Sequence, residues 1–269
     1  MTASQLKKVA RLIRRDIVDM TYRAGSGHPG GSLSAADIMA VLFFDAMRHR
    51  PHDPGWPGRD RFYLSKGHAC PVLYAALAQA GYFPRSELGK FRRLGSMLQG
   101  HPHRLKTPGV EMSSGSLGQG LSLAAGTALG LKMDGSRARV YCLMGDGELQ
   151  EGQIWEAAMA AGHFRLNNLV GIVDYNNLQI DGPVEKVMGL APLADKWKSF
   201  RWNVITIDGH DIGEIKKAFI KTGQSGSKPT FIIARTIKGK GVSFMENQAG
   251  WHGRAPNKEE YQRAIAELV

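Results

Sequence analysis

The sequence has few features that would tie it to a membrane, to secretion or to a disulfide framework. Its longest apolar run, residues 38–44, is far too short to span a bilayer. The first residues are polar and basic, unlike the charged-then-apolar pattern of a secretory signal. The only cysteines are Cys70 and Cys142, which form no CxxC motif. We therefore expect a cytoplasmic protein with two reduced thiols and no membrane association.

Acidic residues are scarce in the first part of the chain. The 269 residues have a formal net charge of +11, and residues 1–110 contain 17 Lys and Arg against 7 Asp and Glu. Such a surface is either simply solvated or attracts nucleic acid, an acidic partner or phosphorylated metabolites. No RNA-binding, zinc-finger or helix-turn-helix pattern accompanies the charge, so we expect no nucleic-acid binding.

No internal repeat, low-complexity tract or long linker divides the chain, whose length suits one large domain or two small ones. From about residue 139, apolar strands alternate with helices, a pattern typical of an α/β fold with a parallel sheet covered on both faces. The predicted strands are 139–144, 169–175, 202–208 and 230–236, and the predicted helices are 4–22, 151–163, 211–222 and 258–269. Ser34 is a possible N-cap of a further helix.

In parallel sheets, ligands bind beyond the carboxyl ends of the strands. That rule points to Gly145–Gly147, Asn176–Leu178 and Gly209–Asp211. A different pattern, GxGxxG at Gly25–Gly30, is typical of dinucleotide sites only when a strand precedes it. Here a predicted helix precedes it and Pro29 interrupts it, so nicotinamide binding is not expected.

Asp146 and Asn176 follow two successive predicted strands. Mg²⁺ prefers oxygen ligands, usually carboxylates together with substrate phosphates, and Gly147 allows a diphosphate to approach the backbone closely. Successive strands of such a unit usually lie side by side, which would bring both groups to one edge. Each dipeptide alone is also a common turn former. Together, at two strand ends, they favour a metal–diphosphate site.

Short glycine-containing sequence motifs occur along the chain between Gly25 and Pro256. In order they read SGHPGG, SKGHA, GHPH, SSGSLGQG, GDGELQEGQIWEA, YNNLQIDG and WHGRAP. GDG followed about thirty residues later by Asn resembles the thiamine-diphosphate signature, and the whole set resembles the transketolase family. The resemblance implies the family's diphosphate-binding module over residues 1–269, a parallel sheet sandwiched between helix layers.

The resemblance also implies the cofactor site. Asp146, Asn176 and the backbone carbonyl of Leu178 would bind Mg²⁺, or Ca²⁺ or Mn²⁺ in its place, and Gly147 would donate its N–H to the diphosphate. Gly115 and Leu117 would contact the aminopyrimidine and thiazolium rings. The implied cofactor-binding set is His68, Gly115, Leu117, Gly145, Asp146, Gly147, Glu151, Asn176 and Leu178.

Four histidines in glycine-flanked loops match the family's substrate channel. Histidine suits proton transfer to and from sugar carbonyls near neutral pH. The implied catalytic set is His28, His68, His101, His252 and Glu151. Glu151 and Glu156 match acidic residues at the family's subunit interface, where they link paired active sites.

The sequence leaves the roles of a few residues open. His210 is either functional or a cap for the helix that starts near residue 211, and His103 replaces an acidic residue that the family often has after GHP. The basic loop Thr236–Gly241 either contacts phosphate or is an ordinary surface loop. Trp155, Trp197 and Trp202 are expected in the core.

The resemblance does not extend to the pyrimidine-binding and C-terminal modules that transketolases also have. Only 13 residues follow WHGRAP, and the glutamate with which the pyrimidine-binding module activates the cofactor has no counterpart. We expect these modules on a C-terminal transketolase subunit in an α₂β₂ heterotetramer; truncation of a longer protein is the competing explanation. The chain alone is then expected to expose apolar surface around Leu117, Leu121 and helix 151–163.

The implied reaction is transfer of a two-carbon ketol unit from a ketose, or its phosphate, to an aldose, as in the pentose phosphate pathway. The alternatives are a related enzyme for an unusual sugar, a 1-deoxyxylulose-5-phosphate synthase, or a non-catalytic subunit that only binds thiamine diphosphate.

Overall fold

The computed structural model describes residues 1–224 and 226–269. The helices are α1 (Ala3–Ala24), α2 (Pro29–Ser34), α3 (Ala36–Val41), α4 (Cys70–Ala80), α5 (Gln119–Met133), α6 (Gly152–His163), α7 (Val184–Met188), α8 (Leu193–Ser199), α9 (Ile212–Thr222) and α10 (Lys258–Glu267). The strands are β1 (Arg61–Leu64), β2 (Val140–Gly145), β3 (Leu169–Tyr175), β4 (Leu178–Gln179), β5 (Gly182–Pro183), β6 (Asn203–Asp208) and β7 (Thr230–Arg235).

Five strands form one parallel sheet in the order β1-β2-β3-β7-β6. Side chains of each strand alternate between two hydrophobic clusters, one on each face. In β2, Tyr141 and Leu143 pack with α1, α3, α4 and α9, whereas Cys142 and Met144 pack with α5, α6 and α8. The predicted α/β fold, a parallel sheet between helix layers, is confirmed.

The four predicted strands are confirmed as β2, β3, β6 and β7, each within about one residue of its predicted bounds. The sequence did not reveal β1, which has only four residues and no alternation. It also did not reveal α4, in which nine of eleven residues are buried, because a helix that is apolar on all sides lacks the periodic pattern of an amphipathic one.

Neither of the two possible helix caps, Ser34 and His210, caps the helix that follows it. Ser34 is the last residue of α2 and not a cap, and its hydroxyl donates to the carbonyl of Gly31 and to the Asp174 carboxylate. The cap of α9 is Asp211, whose carboxylate accepts the N–H of Glu214 at 2.9 Å. His210 therefore has a different role, described below.

Aromatic and apolar side chains mostly lie where the sequence indicated. Trp197 and Trp202 are buried in the core, and Trp155 packs partly buried against them. Leu121 is fully buried by its own chain, so the expectation that it is exposed was wrong. Helix α6 does expose Met159, at 57% of its surface. Within the described residues, no helix is long and apolar enough to cross a membrane.

Candidate cofactor site

A cavity of about 400 Å³ opens at the carboxyl ends of β2 and β3. The two strands are neighbours, with Gly145 paired to Asp174, so the residues after each strand meet at one edge of the sheet. The cavity is lined by His28, Gly31, Lys66, His68, Gly115, Leu117, Gly145, Asp146, Gly147, Glu148, Gln150, Glu151, Asn176, Leu178, Gln179, Ile180, Asp181, Lys238 and His252. This size is ordinary for a site that holds a small organic cofactor.

Asp146 lies directly after β2 and is only 3% exposed. Its carboxylate accepts the backbone N–H groups of Gly147, at 2.8 Å, and of Asn177. Burial, together with the negative charge of Asp174, raises the pKa of Asp146 to about 6. A nearby cation would favour its ionised form, as expected of a carboxylate that binds metal.

Asn176 follows β3 and is oriented by hydrogen bonds at both ends of its amide. Its Nδ2 donates to Asp174 Oδ2 at 3.3 Å, and its Oδ1 accepts the N–H of Leu178 at 3.2 Å. Asp146, Asn176 and the Leu178 carbonyl therefore bring three kinds of oxygen to the cavity, which is the donor set that a hard cation such as Mg²⁺ takes. In the described part of the chain, no cluster of three His, Cys, Asp or Glu side chains offers a metal site.

Asp174 was not singled out from the sequence, although it is fully buried beneath this edge of the sheet. Its carboxylate accepts hydrogen bonds from Lys66 Nζ, the hydroxyls of Ser34 and Thr236, and Asn176. Ser34 is the last residue of α2, and Lys66, Asn176 and Thr236 follow β1, β3 and β7. The positive charge of Lys66 and the hydrogen bonds lower the pKa of Asp174 against the opposing effect of burial, so an ionised carboxylate ties these segments together.

Three of the four predicted catalytic histidines cluster on one side of the cavity. The ring centroids of His28 and His68 are 5.3 Å apart, those of His28 and His252 are 5.6 Å apart, and those of His68 and His252 are 5.0 Å apart. Burial lowers the pKa of His28 to about 4 and of His252 to about 3, and it also lowers the pKa of His68. Near pH 7 all three rings are neutral and able both to donate and to accept hydrogen bonds.

The remaining predicted site residues lie further out. His101 is exposed and is not among the residues that line the cavity, but its ring packs beside Gly115, where an added Cβ would come within 3.3 Å of it. Burial and the charge of Arg92 lower the pKa of His101. Glu151 lines the cavity mouth, whereas Glu156 is exposed on α6 and does not line it.

Lys238 comes from the loop Thr236–Gly241, whose role the sequence left open. The side chain is 1% exposed, and its Nζ lies 2.9 Å from the carbonyl oxygen of Leu178 and 3.0 Å from His252 Nδ1. Burial lowers its pKa to about 8. Lys240, two residues later, instead pairs with Glu246 at 3.3 Å. One lysine of the loop thus enters the cavity and the other does not.

His210 is hydrogen-bonded to this loop but is not among the residues that line the cavity. Its Nδ1 lies 2.8 Å from Asp37 Oδ2, and its Nε2 accepts the N–H of Ile237 at 2.9 Å. Because Nε2 is an acceptor, the proton of the neutral ring must be on Nδ1, from which it is donated to Asp37. His210 is therefore a positioning residue for the segment that carries Lys238.

Comparison with known proteins agrees with this geometry. Residues 5–268 match the family model described as the thiamine diphosphate binding domain of transketolase. The chain belongs to the transketolase family. It is 47% identical over 263 residues to the 6-deoxy-6-sulfo-D-fructose transketolase subunit SqwG of Clostridium sp. (strain MSTE9), covering 98% of this chain and 96% of that one.

Other members show how the chain relates to longer transketolases. It is 42% identical to a subunit of the apulose-4-phosphate transketolase of Phocaeicola vulgatus, covering 95% of this chain and 90% of that one. Human transketolase is 44% identical, with 98% of this chain but only 42% of the human protein covered. The crystal structure of Campylobacter jejuni transketolase superimposes with a TM-score of 0.95 at 36% identity, covering 100% of this chain and 43% of that one.

The cavity fits the cofactor of this family. At Gly147, a Cβ atom would lie 3.2 Å from the side chain of Gln179, so a side chain there would crowd the space beside Asp146. At Gly115, φ is +155°, a conformation that side chains rarely adopt, and a Cβ would press on His101. Both glycines keep the walls of the cavity open to a diphosphate and to flat rings.

Proposed function

We propose that this chain is the thiamine diphosphate-binding subunit of a two-chain transketolase that transfers a two-carbon ketol unit from a ketose to an aldose. The observation that carries the proposal is one cavity in which Asp146 and Asn176 face a cluster of three neutral histidines. One end suits a metal-bound diphosphate, and the other suits a polyhydroxylated substrate. The two free, buried cysteines fit the proposed action in the reducing cytoplasm.

In this proposal the diphosphate end holds the cofactor. Asp146, Asn176 and the Leu178 carbonyl bind Mg²⁺, or Ca²⁺ or Mn²⁺ in its place, and Gly145 and Gly147 let the diphosphate approach the backbone. Thiamine diphosphate supplies the stabilised carbanion chemistry that amino-acid side chains lack. Gly115 and Leu117 line the part of the cavity that takes its rings.

The histidines act on the substrate. His28, His68 and His252 are neutral at pH 7 because burial lowers the pKa of each. Each can hydrogen-bond a sugar hydroxyl or carbonyl and pass a proton as bonds to carbon change. His101, beside Gly115, extends this set toward the outside, and Glu151 stands at the mouth of the cavity.

A second chain is proposed to complete the site. The two relatives of similar length are both named as subunits. On this chain, the neighbouring helices α5 and α6 expose Leu123 and Met159, and Phe164 follows α6; each is exposed at 50% or more of its surface. Exposed apolar side chains on neighbouring elements are typical of partner surfaces. We propose that the C-terminal subunit, with the pyrimidine-binding module, docks there next to Glu151 and Glu156 and forms an α₂β₂ heterotetramer.

The sugar is the least constrained part of the proposal. The two subunit relatives are named for 6-deoxy-6-sulfo-D-fructose and apulose-4-phosphate, both unusual anionic sugars. We therefore favour a specialised anionic ketose over the pentose phosphates of primary metabolism. A 1-deoxyxylulose-5-phosphate synthase is less favoured, since the named relatives are transketolases. A purely cofactor-binding role does not explain why three histidines line the cavity.

The decisive experiment is a donor and acceptor screen with the chain and its partner subunit, thiamine diphosphate and Mg²⁺. Donors would include xylulose 5-phosphate, fructose 6-phosphate, 6-deoxy-6-sulfofructose, apulose 4-phosphate and pyruvate, each with several aldoses. We expect a two-carbon transfer product from at least one anionic ketose. Products from pyruvate and an aldose, with no ketol transfer, would show instead the synthase chemistry.

A further inference from the structure

The Lys238 ammonium and the proposed metal compete for one oxygen atom. Lys238 Nζ donates to the Leu178 carbonyl at 2.9 Å, and that carbonyl is a proposed metal ligand. The ammonium and the lysine stem are almost completely buried, at 1% exposure. A dication bound to the same oxygen would lie a few ångströms from this positive charge, and repulsion between the two buried charges disfavours binding of both cations to that oxygen at once.

The balance of charge around the cavity shows why a cation is needed there. Asp146, Asp174 and Glu148 bring three carboxylates, and Lys66 and Lys238 bring two ammonium groups, all of them buried. Glu148 accepts the Ser65 hydroxyl and the N–H groups of Gly118 and Gly145. Lys66 is bonded directly to Asp174 and to the carbonyl of Gly31. Lys238 is therefore left to balance Asp146, with which it lines the same cavity. Without such a cation, a buried Asp146 would carry an uncompensated charge.

His252 makes the arrangement reversible. Burial lowers its pKa to about 3, so the ring is neutral and its Nδ1 accepts from Lys238 at 3.0 Å. When Lys238 leaves the Leu178 carbonyl, it still has this partner and need not be left without a hydrogen bond in a buried place.

We propose that Lys238 stands in for the metal ion in the cofactor-free chain, gives up the Leu178 carbonyl when the metal binds, and then compensates the charge of the diphosphate. Metal alone must displace an ammonium group and stay beside it. Diphosphate brings the negative charge that the extra cation requires. Metal and diphosphate therefore strengthen each other's binding through Lys238, and by linkage the effect is reciprocal. This inference rests on the function proposed above.

The test measures metal and diphosphate binding separately, on the chain of 269 residues and without an activity assay. Mn²⁺ binding is followed by electron paramagnetic resonance in the absence of cofactor, and inorganic diphosphate binding is followed by calorimetry in the absence of metal. Lys238→Met keeps the length of the side chain and removes its charge. We expect Mn²⁺ alone to bind about tenfold more tightly and diphosphate alone about tenfold more weakly, within the usual range of coupling between two sites.

Three further variants test whether these opposite changes in affinity arise from the charge of Lys238 and from the proposed metal site. Lys240→Met removes a lysine of the same loop that lies outside the cavity and should change neither affinity. Lys238→Arg keeps the charge and should resemble the wild type in Mn²⁺ affinity, which also guards against misfolding of the Met variant. Adding Asp146→Ala to Lys238→Met should abolish the gain in Mn²⁺ affinity if the ion binds at this site.

The outcomes separate the two proposals. If the wild type binds Mn²⁺ and thiamine diphosphate together but Lys238→Met binds Mn²⁺ alone no more tightly, Lys238 does not stand in for the metal, and the proposed function is unaffected. Equal weakening of both affinities in Lys238→Met would likewise overturn the inference, since it indicates a purely structural role. If the wild type binds neither Mn²⁺ nor thiamine diphosphate when both are supplied together with the partner subunit, both proposals fail.

Discussion

Glu148 Oε1 lies 2.9 Å from the backbone nitrogen of Gly118 and accepts a hydrogen bond from it. The same carboxylate accepts the hydroxyl of Ser65 and, through Oε2, the N–H of Gly145 at 3.0 Å. Ser65 in turn accepts the N–H of Gly120 at 3.1 Å. One buried side chain thus holds together the segments before His68, around Leu117 and before Asp146.

Glu148→Gln should loosen this arrangement while nearly preserving the size of the side chain. The amide can still accept with its oxygen, but its NH₂ group then faces a backbone N–H or the Ser65 hydroxyl. A buried polar group left unpaired costs about 1–3 kcal/mol. We expect urea denaturation to show a loss of this size, and calorimetry to show weaker thiamine diphosphate binding. Glu259→Gln, on the exposed first turn of α10, is the matched control and should change neither.

Asp146→Ala should remove the carboxylate proposed to bind the metal. The diphosphate charge would then be poorly compensated, and we expect Mg²⁺-dependent binding of thiamine diphosphate to fall below detection in calorimetry with the partner present. The control is Asp195→Ala, which removes an exposed carboxylate paired with Lys198 at the surface. Unchanged affinity of Asp146→Ala would rule out the metal assignment.

His101→Ala and His252→Ala should lower turnover of the two-chain enzyme more than they lower cofactor affinity. Loss of a single acid–base group typically costs about 10²–10⁴-fold in rate. Steady-state kinetics with the best donor and acceptor, together with near-UV circular dichroism, would measure this. His52→Ala, at an exposed position before β1 that does not line the cavity, is the control. Full activity in both site variants would make the two histidines structural.

The buried histidines also predict how stability depends on pH. The unfolded chain protonates its histidines below about pH 6.5, whereas the folded chain does not protonate His28 until about pH 4 or His252 until about pH 3. The unfolded state therefore binds more protons over this interval, and the free energy of unfolding falls as the pH is lowered from 6.5 to 4. Asp146, with its pKa raised to about 6, acts in the opposite direction.

Comparison with a variant separates these contributions. Asparagine does not titrate, so His252→Asn should flatten the decline in stability between pH 6.5 and 4 relative to the wild type. Urea denaturation at half-unit intervals of pH measures the effect. An unchanged pH profile would mean that the ring of His252 is as accessible to protons in the folded chain as in the unfolded one.

The sequence predicted those site residues whose position follows from local pattern. Asp146 and Asn176 stand at the ends of apolar strands, and parallel strands end at one edge, so their proximity could be predicted without a structure. Their proposed roles, like those of the histidines, stay predictions until the binding and kinetic experiments are done.

The residues that the sequence did not reveal depend on contacts between distant segments. Asp174 lies inside a strand, where an acid is expected to face solvent, and its partners Ser34 and Lys66 are 140 and 108 residues away. Lys238 and Lys240 lie in the same glycine-rich loop, and the packing of that loop decides which one enters the cavity. The hydrogen bond from Ser34 to Asp174 also joins distant segments, so it could not be predicted from the local sequence. From local sequence alone, Ser34 resembled a helix cap.

The most direct test of the account is ketol-transfer turnover by the purified chain, with and without a pyrimidine-module subunit. Thiamine diphosphate, Mg²⁺ and a donor–acceptor pair would be present in both assays. The account predicts essentially no turnover by the chain alone, because the glutamate that activates the cofactor is proposed to come from the partner. Activity should rise with added partner and reach its maximum at equal stoichiometry. Turnover by the single chain at a rate comparable to that of the mixture would contradict the account.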